Sequence, residues 1–185
     1  MKKAAVLVAP GFEEGETLTI TDILRRAQTQ CDLYGLTKEV TGGHDITLQC
    51  DYVLSQDVED YDMVILPGGY EGARNLRDHE GVIALLQKMY ANHKYICAMC
   101  AAPTVLEKAQ LLEEKRYTAY RGYGDKIKQG EYQEEIVVVD GSIVTSRGPA
   151  TAYAFAYQLV ELLGEDAIAV KQRMLYDHAF LQEGR

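Results

Sequence analysis

The run Tyr95-Ile96-Cys97-Ala98-Met99-Cys100-Ala101-Ala102-Pro103-Thr104 decides the fold. Its first half is a short apolar stretch of the kind that fills a buried strand, and Pro103 marks a helix start. Strand, tight turn and helix within ten residues is the unit of a parallel sheet flanked by helices. The same turn places Cys100 where a thiol becomes a nucleophile. Small neighbours let the backbone bend, the turn exposes the sulfur, and unpaired N–H groups at a helix start favour its anion. The plainer alternative is a buried structural cysteine.

The pattern repeats on either side. Ala4 to Ala9 is a continuous apolar run that predicts a central parallel strand, and Thr17 to Ala27 carries apolar residues at helical spacing. Cys31 to Leu36 predicts a second strand, Thr41-Gly42-Gly43-His44 a turn, and Met63 to Leu66 a third buried strand closed by Pro67-Gly68-Gly69. A helix is expected from Glu80 to Ala91, with Val82, Leu85, Leu86 and Met89 on one face. Asp140-Gly141 between Ile136–Val139 and Ser142–Thr145 predicts a hairpin with a two-residue loop. Thr151 to Leu163 reads as a helix stopped by Gly164, and Asp166 to Tyr176 as a last one. The fold class is α/β, a doubly wound, mostly parallel sheet with helices on both faces and an antiparallel hairpin, in a single domain over residues 1–185.

Composition bounds the function. The chain has 185 residues, 47% hydrophobic and 25% charged, with a net charge of −9. That charge argues against a nucleic acid or anionic membrane held electrostatically, and no apolar run reaches the roughly 20 residues of a membrane span. Lys2-Lys3 before an apolar stretch imitates the start of a signal peptide, but Pro10-Gly11-Phe12-Glu13-Glu14 interrupts it too early. A cytoplasmic protein is expected, with Cys31, Cys50, Cys97 and Cys100 as free thiols. Cys97 and Cys100 spell C-x-x-C, yet Cys97 lies inside the strand run. Residues three apart on a strand are separated by about 10 Å, beyond disulfide reach. No second pair completes a zinc site, and no metal or other cofactor is expected.

In such sheets the site lies at the carboxyl ends of the strands, where three loops fall: Pro10–Glu16, Pro67–Gly72 and Cys100–Pro103. The first has no phosphate-binding glycine pattern and carries three glutamates, which disfavours a nucleotide. Glutamates at a helix start complement its dipole, but Glu16 can instead point toward Cys100. A carboxylate there opposes a thiolate, so the pair makes chemical sense only with Glu16 protonated, donating to the sulfur and moving protons. The N–H groups of Gly69 and Ala101 would form an oxyanion hole.

Glu13-Glu14-Gly15-Glu16-Thr17, Leu66-Pro67-Gly68-Gly69, Cys97 to Pro103 and Thr145-Ser146-Arg147-Gly148-Pro149 together resemble the ThiJ/PfpI superfamily, in its DJ-one (parkinsonism-associated) branch, as a bacterial-type member. The resemblance covers nearly the whole chain. It implies a flavodoxin-like sandwich working as a homodimer, with Cys100 reactive, Glu16 its hydrogen-bonding acid, and Gly69 and Ala101 the oxyanion donors. It further implies that Gly68, Arg26, Tyr120, Ser146, Arg147, Gly148 and Pro149 lie near the site or the dimer interface. The activities it implies are glutathione-independent conversion of methylglyoxal or glyoxal, removal of early carbonyl adducts, and protection against oxidative stress through cysteine oxidation or chaperone action. Several members place a histidine where this chain has Tyr120; His44, His79, His93 and His178 fall elsewhere and read as surface residues. A Cys-His hydrolase therefore has no evident base.

Overall fold

A computed structural model describes residues 2–180. Its main sheet has seven strands in the order β10-β11-β7-β6-β1-β2-β5. These are β1 (Lys3–Val8), β2 (Gln30–Gly35), β5 (Tyr52–Val53), β6 (Met63–Leu66), β7 (Tyr95–Met99), β10 (Val137–Asp140) and β11 (Ile143–Ser146). All neighbours are parallel except β10 and β11. The fold is the expected mixed α/β sandwich with an antiparallel hairpin.

Side chains alternate across β1, and both sides are covered. Ala4, Val6 and Val8 join a core with Ile20, Ile23 and Leu24 of α1 (Glu14–Arg26) and Phe155 and Leu159 of α5 (Ala152–Leu162). Ala5, Leu7 and Ala9 join the opposite core. There they meet Leu76 of α2 (Tyr70–Arg77), Val82 and Leu86 of α3 (Glu80–Ala91), and Val105 and Leu106 of α4 (Pro103–Lys108). A strand buried on both faces favours apolar residues at every position, which is why Ala4 to Ala9 is uninterrupted.

The chain departs from the sequence expectations at several edges. A short hairpin of β3 (Glu39–Thr41) and β4 (Thr47–Gln49) surrounds the expected turn, and β8 (Arg116–Tyr117) pairs with β9 (Glu131–Tyr132). α2 was not anticipated: it contains a glycine and buries little beyond Ala73 and Leu76. α1 begins at Glu14 rather than Thr17, and its first turn buries both Glu14 and Glu16. In the β10–β11 hairpin Asp140 pairs with Ile143, so the loop is Gly141-Ser142, one residue later than expected. Gly141 takes the positive φ of +63°, while the Asp140 carboxylate accepts from the Arg116 N–H at 3.0 Å. The last helical stretch breaks at Leu175 (φ +56°) into α6 (Ala167–Arg173) and α7 (Tyr176–Phe180).

Strand order reverses at β1: the chain runs to β2 on one side, then returns to place β6 on the other. The crevice above β1 and β6 is therefore the ligand position of a doubly wound sheet. There the Glu13 N–H donates to Gly68 O at 3.0 Å and the Gly72 N–H to Gly11 O at 3.0 Å, binding the first two loops together.

Candidate active site

Cys100 directly follows β7 with φ +60°, the left-handed region that non-glycine residues seldom occupy. Its N–H donates to Ser146 O at 3.1 Å and its carbonyl accepts from the Tyr120 N–H at 2.9 Å. Two hydrogen bonds thus hold the residue in a backbone conformation it would leave if released. Its side chain is half-buried against Gly68, where an added Cβ would lie 2.5 Å from Cys100 Cβ and 2.9 Å from Sγ. The same point is 2.8 Å from Glu16 Oε2. Glycine at 68 is what lets thiol and carboxyl share this space. Gly69 is required too, with φ +89° and Gly11 O only 2.2 Å from where its Cβ would be.

Glu16 lies in the first turn of α1 and is fully buried. Its Oε2 accepts from the Gly68 N–H at 2.6 Å, while Oε1 is buried without a hydrogen-bond partner. The Cys100 thiol shares the space over Gly68 with this carboxyl and is the side chain whose influence favours its ionised form. Burial pushes Glu16 up to about 7, against the lowering effect of the Gly68 and Cys100 hydrogen bonds and with a further push from Glu13. An orphaned oxygen is costly on an ionised carboxylate and tolerable on a carboxylic acid.

The sulfur departs from expectation. Burial pushes the Cys100 thiol up, and the Glu16 charge pushes it further, against the amides of Gly69 and Ala101. Exposure at the turn is thus less than the sequence suggested, and the anion is not favoured by the elbow alone. With its proton moved to Glu16 the repulsion vanishes and only the two amides and desolvation remain. Burial and mutual repulsion both act against a second negative charge on the pair.

The structure places the other expected residues unevenly. Ser146 supports Cys100 through its carbonyl, and Tyr120 packs its ring against Gly148 and Tyr123 while its N–H bonds Cys100. Arg147 turns its guanidinium to Tyr132 and the Glu134 carbonyl, and Pro149 opens a short 3-10 turn before α5. Arg26 is not at the site. It ends α1, about 15 Å along the helix from Glu16, exposed and paired with Asp22 at 2.7 Å. Of the histidines, His44 is exposed but bonds Glu14 at 2.9 Å, and His79 caps α3.

Sequence reading missed Tyr123, whose hydroxyl is pushed up first by burial and then by the Cys100 charge. It also missed the Glu14–His44 pair. Glu13, Glu14 and His44 bring three possible ligand atoms within 4.8 Å of one another, but the Glu14 oxygens are taken by the His44 ring and the N–H groups of His44 and Ile46.

The chain matches the DJ-1/PfpI family over residues 2–162. It is 36% identical over 173 residues to protein dj-1beta of Drosophila melanogaster, covering 90% of this chain and 92% of that one. A protein named as a deglycase from Thermococcus kodakarensis is 28% identical over 165 residues, with 87% of this chain and 99% of that one covered. The crystal structure of Drosophila DJ-1beta superposes with a TM-score of 0.90 at 36% identity, covering 95% of this chain and 98% of that chain. With its cysteine elbow, its buried glutamate and a match over most of its length, the chain belongs to the DJ-1/PfpI family.

Proposed function

We propose that this protein is a cysteine-dependent carbonyl-stress enzyme, converting methylglyoxal or glyoxal and their early adducts to hydroxy acids without glutathione or another cofactor. One observation carries the reading: a buried carboxyl that titrates near neutrality beside a half-buried thiol faced by two amides. The name of the Thermococcus relative agrees with it.

The thiol proton passes to Glu16 and Sγ adds to the aldehyde carbon. Negative charge moves to the carbonyl oxygen, where the Gly69 and Ala101 amides stabilise it, and Glu16 returns its proton to give a neutral hemithioacetal. The Glu16 carboxylate then takes the hydrogen from the former aldehyde carbon as a proton. The electron pair shifts toward the neighbouring carbonyl, whose oxygen takes that proton from Glu16 to give an enediol. The hydroxyl on the first carbon then gives its proton to Glu16 as its C=O forms, and Glu16 delivers a proton to the second carbon, yielding a hydroxy-acyl thioester. One carbon is oxidised as its neighbour is reduced, so no external oxidant is needed. Water attacks the thioester, the C–S bond breaks, and the hydroxy acid leaves as the thiol is restored. For an early adduct, the amine or thiol leaves first and frees the α-oxoaldehyde.

The test is conversion of methylglyoxal to lactate by the native protein and Cys100→Ser. Loss of turnover in the variant is expected; equal rates would overturn the reading.

A second reading rests on a separate observation. Cys31, Cys50 and Cys97 are buried, so Cys100 alone among the four thiols is partly accessible. Peroxide would oxidise it selectively to a sulfinate held by the same amides and Glu16, with chaperone-like output in place of catalysis. Mass spectrometry after mild peroxide checks it: two oxygens on Cys100 alone support the sensor, and scattered oxidation of all four counts against it. In either role the protein works in the cytoplasm as a homodimer, away from membranes and nucleic acids. Among the described residues no helix is long and apolar enough to cross a membrane. Leu18 and Tyr153, exposed on the packed pair α1 and α5, offer apolar surface to a second copy, and light scattering measures the mass.

A further inference from the structure

A groove of about 250 Å³ lies between α2 and α4, and Ala101, the residue that follows Cys100, is part of its lining. Tyr70 and Tyr123 line it together with Ala101. The groove carries an unexpected sign of charge. In a chain with 19 basic and 28 acidic residues, its walls hold Arg74, Arg77 and Lys126 against the single acid Glu107. That acid is already engaged, accepting from the Lys128 N–H at 2.6 Å.

The three cations are also held in place. Arg74 and Arg77 are three apart on α2 and share a face. They touch Glu71 at 3.4 Å and Asp78 at 3.1 Å, each through one nitrogen of a guanidinium with five donors. Lys126 stands over the Tyr123 ring, 4.6 Å from its centroid. Tyr123, Arg77 and Lys126 share this groove with Ala101, which joins the cationic rim to the cysteine elbow. Across Gly69 the neighbouring crevice is acidic instead, lined by Glu13, Asp45 and Glu71.

We propose that this groove is an anion subsite, in which Arg74, Arg77 and Lys126 hold the phosphate or carboxylate of a carbonyl substrate whose aldehyde carbon sits at Cys100 Sγ. Substrates in this class are anionic α-oxoaldehydes. The turnover part rests on the carbonyl chemistry proposed above; the binding part does not.

Two measurements separate them. The first compares alkylation of Cys100 by iodoacetate and iodoacetamide at fixed ionic strength, in the native protein and in Arg74→Gln/Arg77→Gln. The rate ratio within each protein cancels any change in thiol reactivity. The double variant is expected to lower the iodoacetate preference about tenfold, and inorganic phosphate is expected to slow iodoacetate in the native protein only. The single variant Arg77→Lys, which keeps the charge, should retain part of the preference. The second measurement compares kcat/KM for methylglyoxal, hydroxypyruvaldehyde phosphate and 4,5-dioxopentanoate. Either anion should exceed methylglyoxal about tenfold in the native protein and lose that advantage in the double variant; the larger gain identifies phosphate or carboxylate. An alkylation ratio indifferent to the arginines overturns the subsite, even if methylglyoxal is consumed. A ratio that responds as expected in a protein that converts none of the three aldehydes keeps the subsite and removes the carbonyl-converting reading.

Discussion

Glu14 and Glu16 sit two residues apart at the start of α1, both buried, and their carboxyls are driven in opposite directions. Two residues turn a helix by about 200°, so the side chains leave on opposite faces. Glu14 meets the β3–β4 loop. Burial alone would raise it, but the His44 ring and the N–H groups of His44 and Ile46 outweigh that and hold it below the usual range. Glu16 meets the sheet crest, where burial dominates and a single backbone N–H compensates. A buried acid with several donors is a structural anion; one with a single donor and a thiol beside it can carry a proton. Hydrogen-bond supply, more than depth, separates the two roles.

The largest expected effect is on turnover. Glu16→Ala and Glu16→Gln should each lower kcat/KM for methylglyoxal by about 10²–10⁴-fold, the usual share of general acid–base catalysis, whereas Glu14→Gln should leave it near native. A Glu16→Gln protein as fast as native would end the contrast.

Stability should move the other way. A folded-state pKa near 7 against the usual 4.5 means that the native state prefers the protonated acid. Its stabilising contribution is complete below pH 4.5, falls as pH rises to about 7, and is flat above, a loss of about 3 kcal/mol. Glu16→Gln, neutral at every pH, should therefore unfold later than native in urea at pH 8 and show little difference at pH 4. No gain at pH 8 would mean that the Glu16 charge is better accommodated than its surroundings suggest.

Gly68→Ala tests the space between the two functional groups. The new Cβ would crowd Cys100 Cβ, Sγ and Glu16 Oε2 together, costing about 1–3 kcal/mol and displacing the thiol from its acid. Denaturant midpoints and iodoacetamide reactivity of Cys100 should both change; a shift in neither would remove the close approach.

The smallest effect belongs to the structural anion. Glu14→Gln should cost about 1–2 kcal/mol through weakened hydrogen bonds. Its pH signature is the mirror of Glu16: with a depressed folded pKa, the Glu14 contribution is present above 4.5 and lost as pH falls through that lowered value. His44, raised chiefly by its hydrogen bond to Glu14, contributes most below 6.5 and loses its contribution as pH rises through its folded value. Urea midpoints of native and Glu14→Gln proteins between pH 3 and 8 should diverge most in the middle of that range.

Much of this was legible in the residues. The runs at Ala4–Ala9, Met63–Leu66 and Tyr95–Met99 name the central strands, because a strand covered on both faces favours apolar side chains throughout. Glycines at 68 and 69, the elbow at Cys100 and the glutamates at 13–16 announce the three loops of the crevice. α2, with few apolar residues, left no periodic trace, and the Asp140-Gly141 signal slipped by one residue because the Asp140 side chain found a tertiary partner in the Arg116 backbone.

The sequence by itself determined the sheet, the position of the thiol and the presence of acids near it, since these follow from local apolarity, small residues and chain order. Only the tertiary structure decided what drives the Glu14 and Glu16 carboxyls in opposite directions, that Arg26 lies away from Cys100 and Glu16, and that a cationic groove includes Ala101, next to the cysteine, in an acidic chain. Proton affinity and local potential depend on every donor, charge and water-excluding atom within a few ångströms, and those neighbours come from segments as far apart as residues 16, 68 and 100.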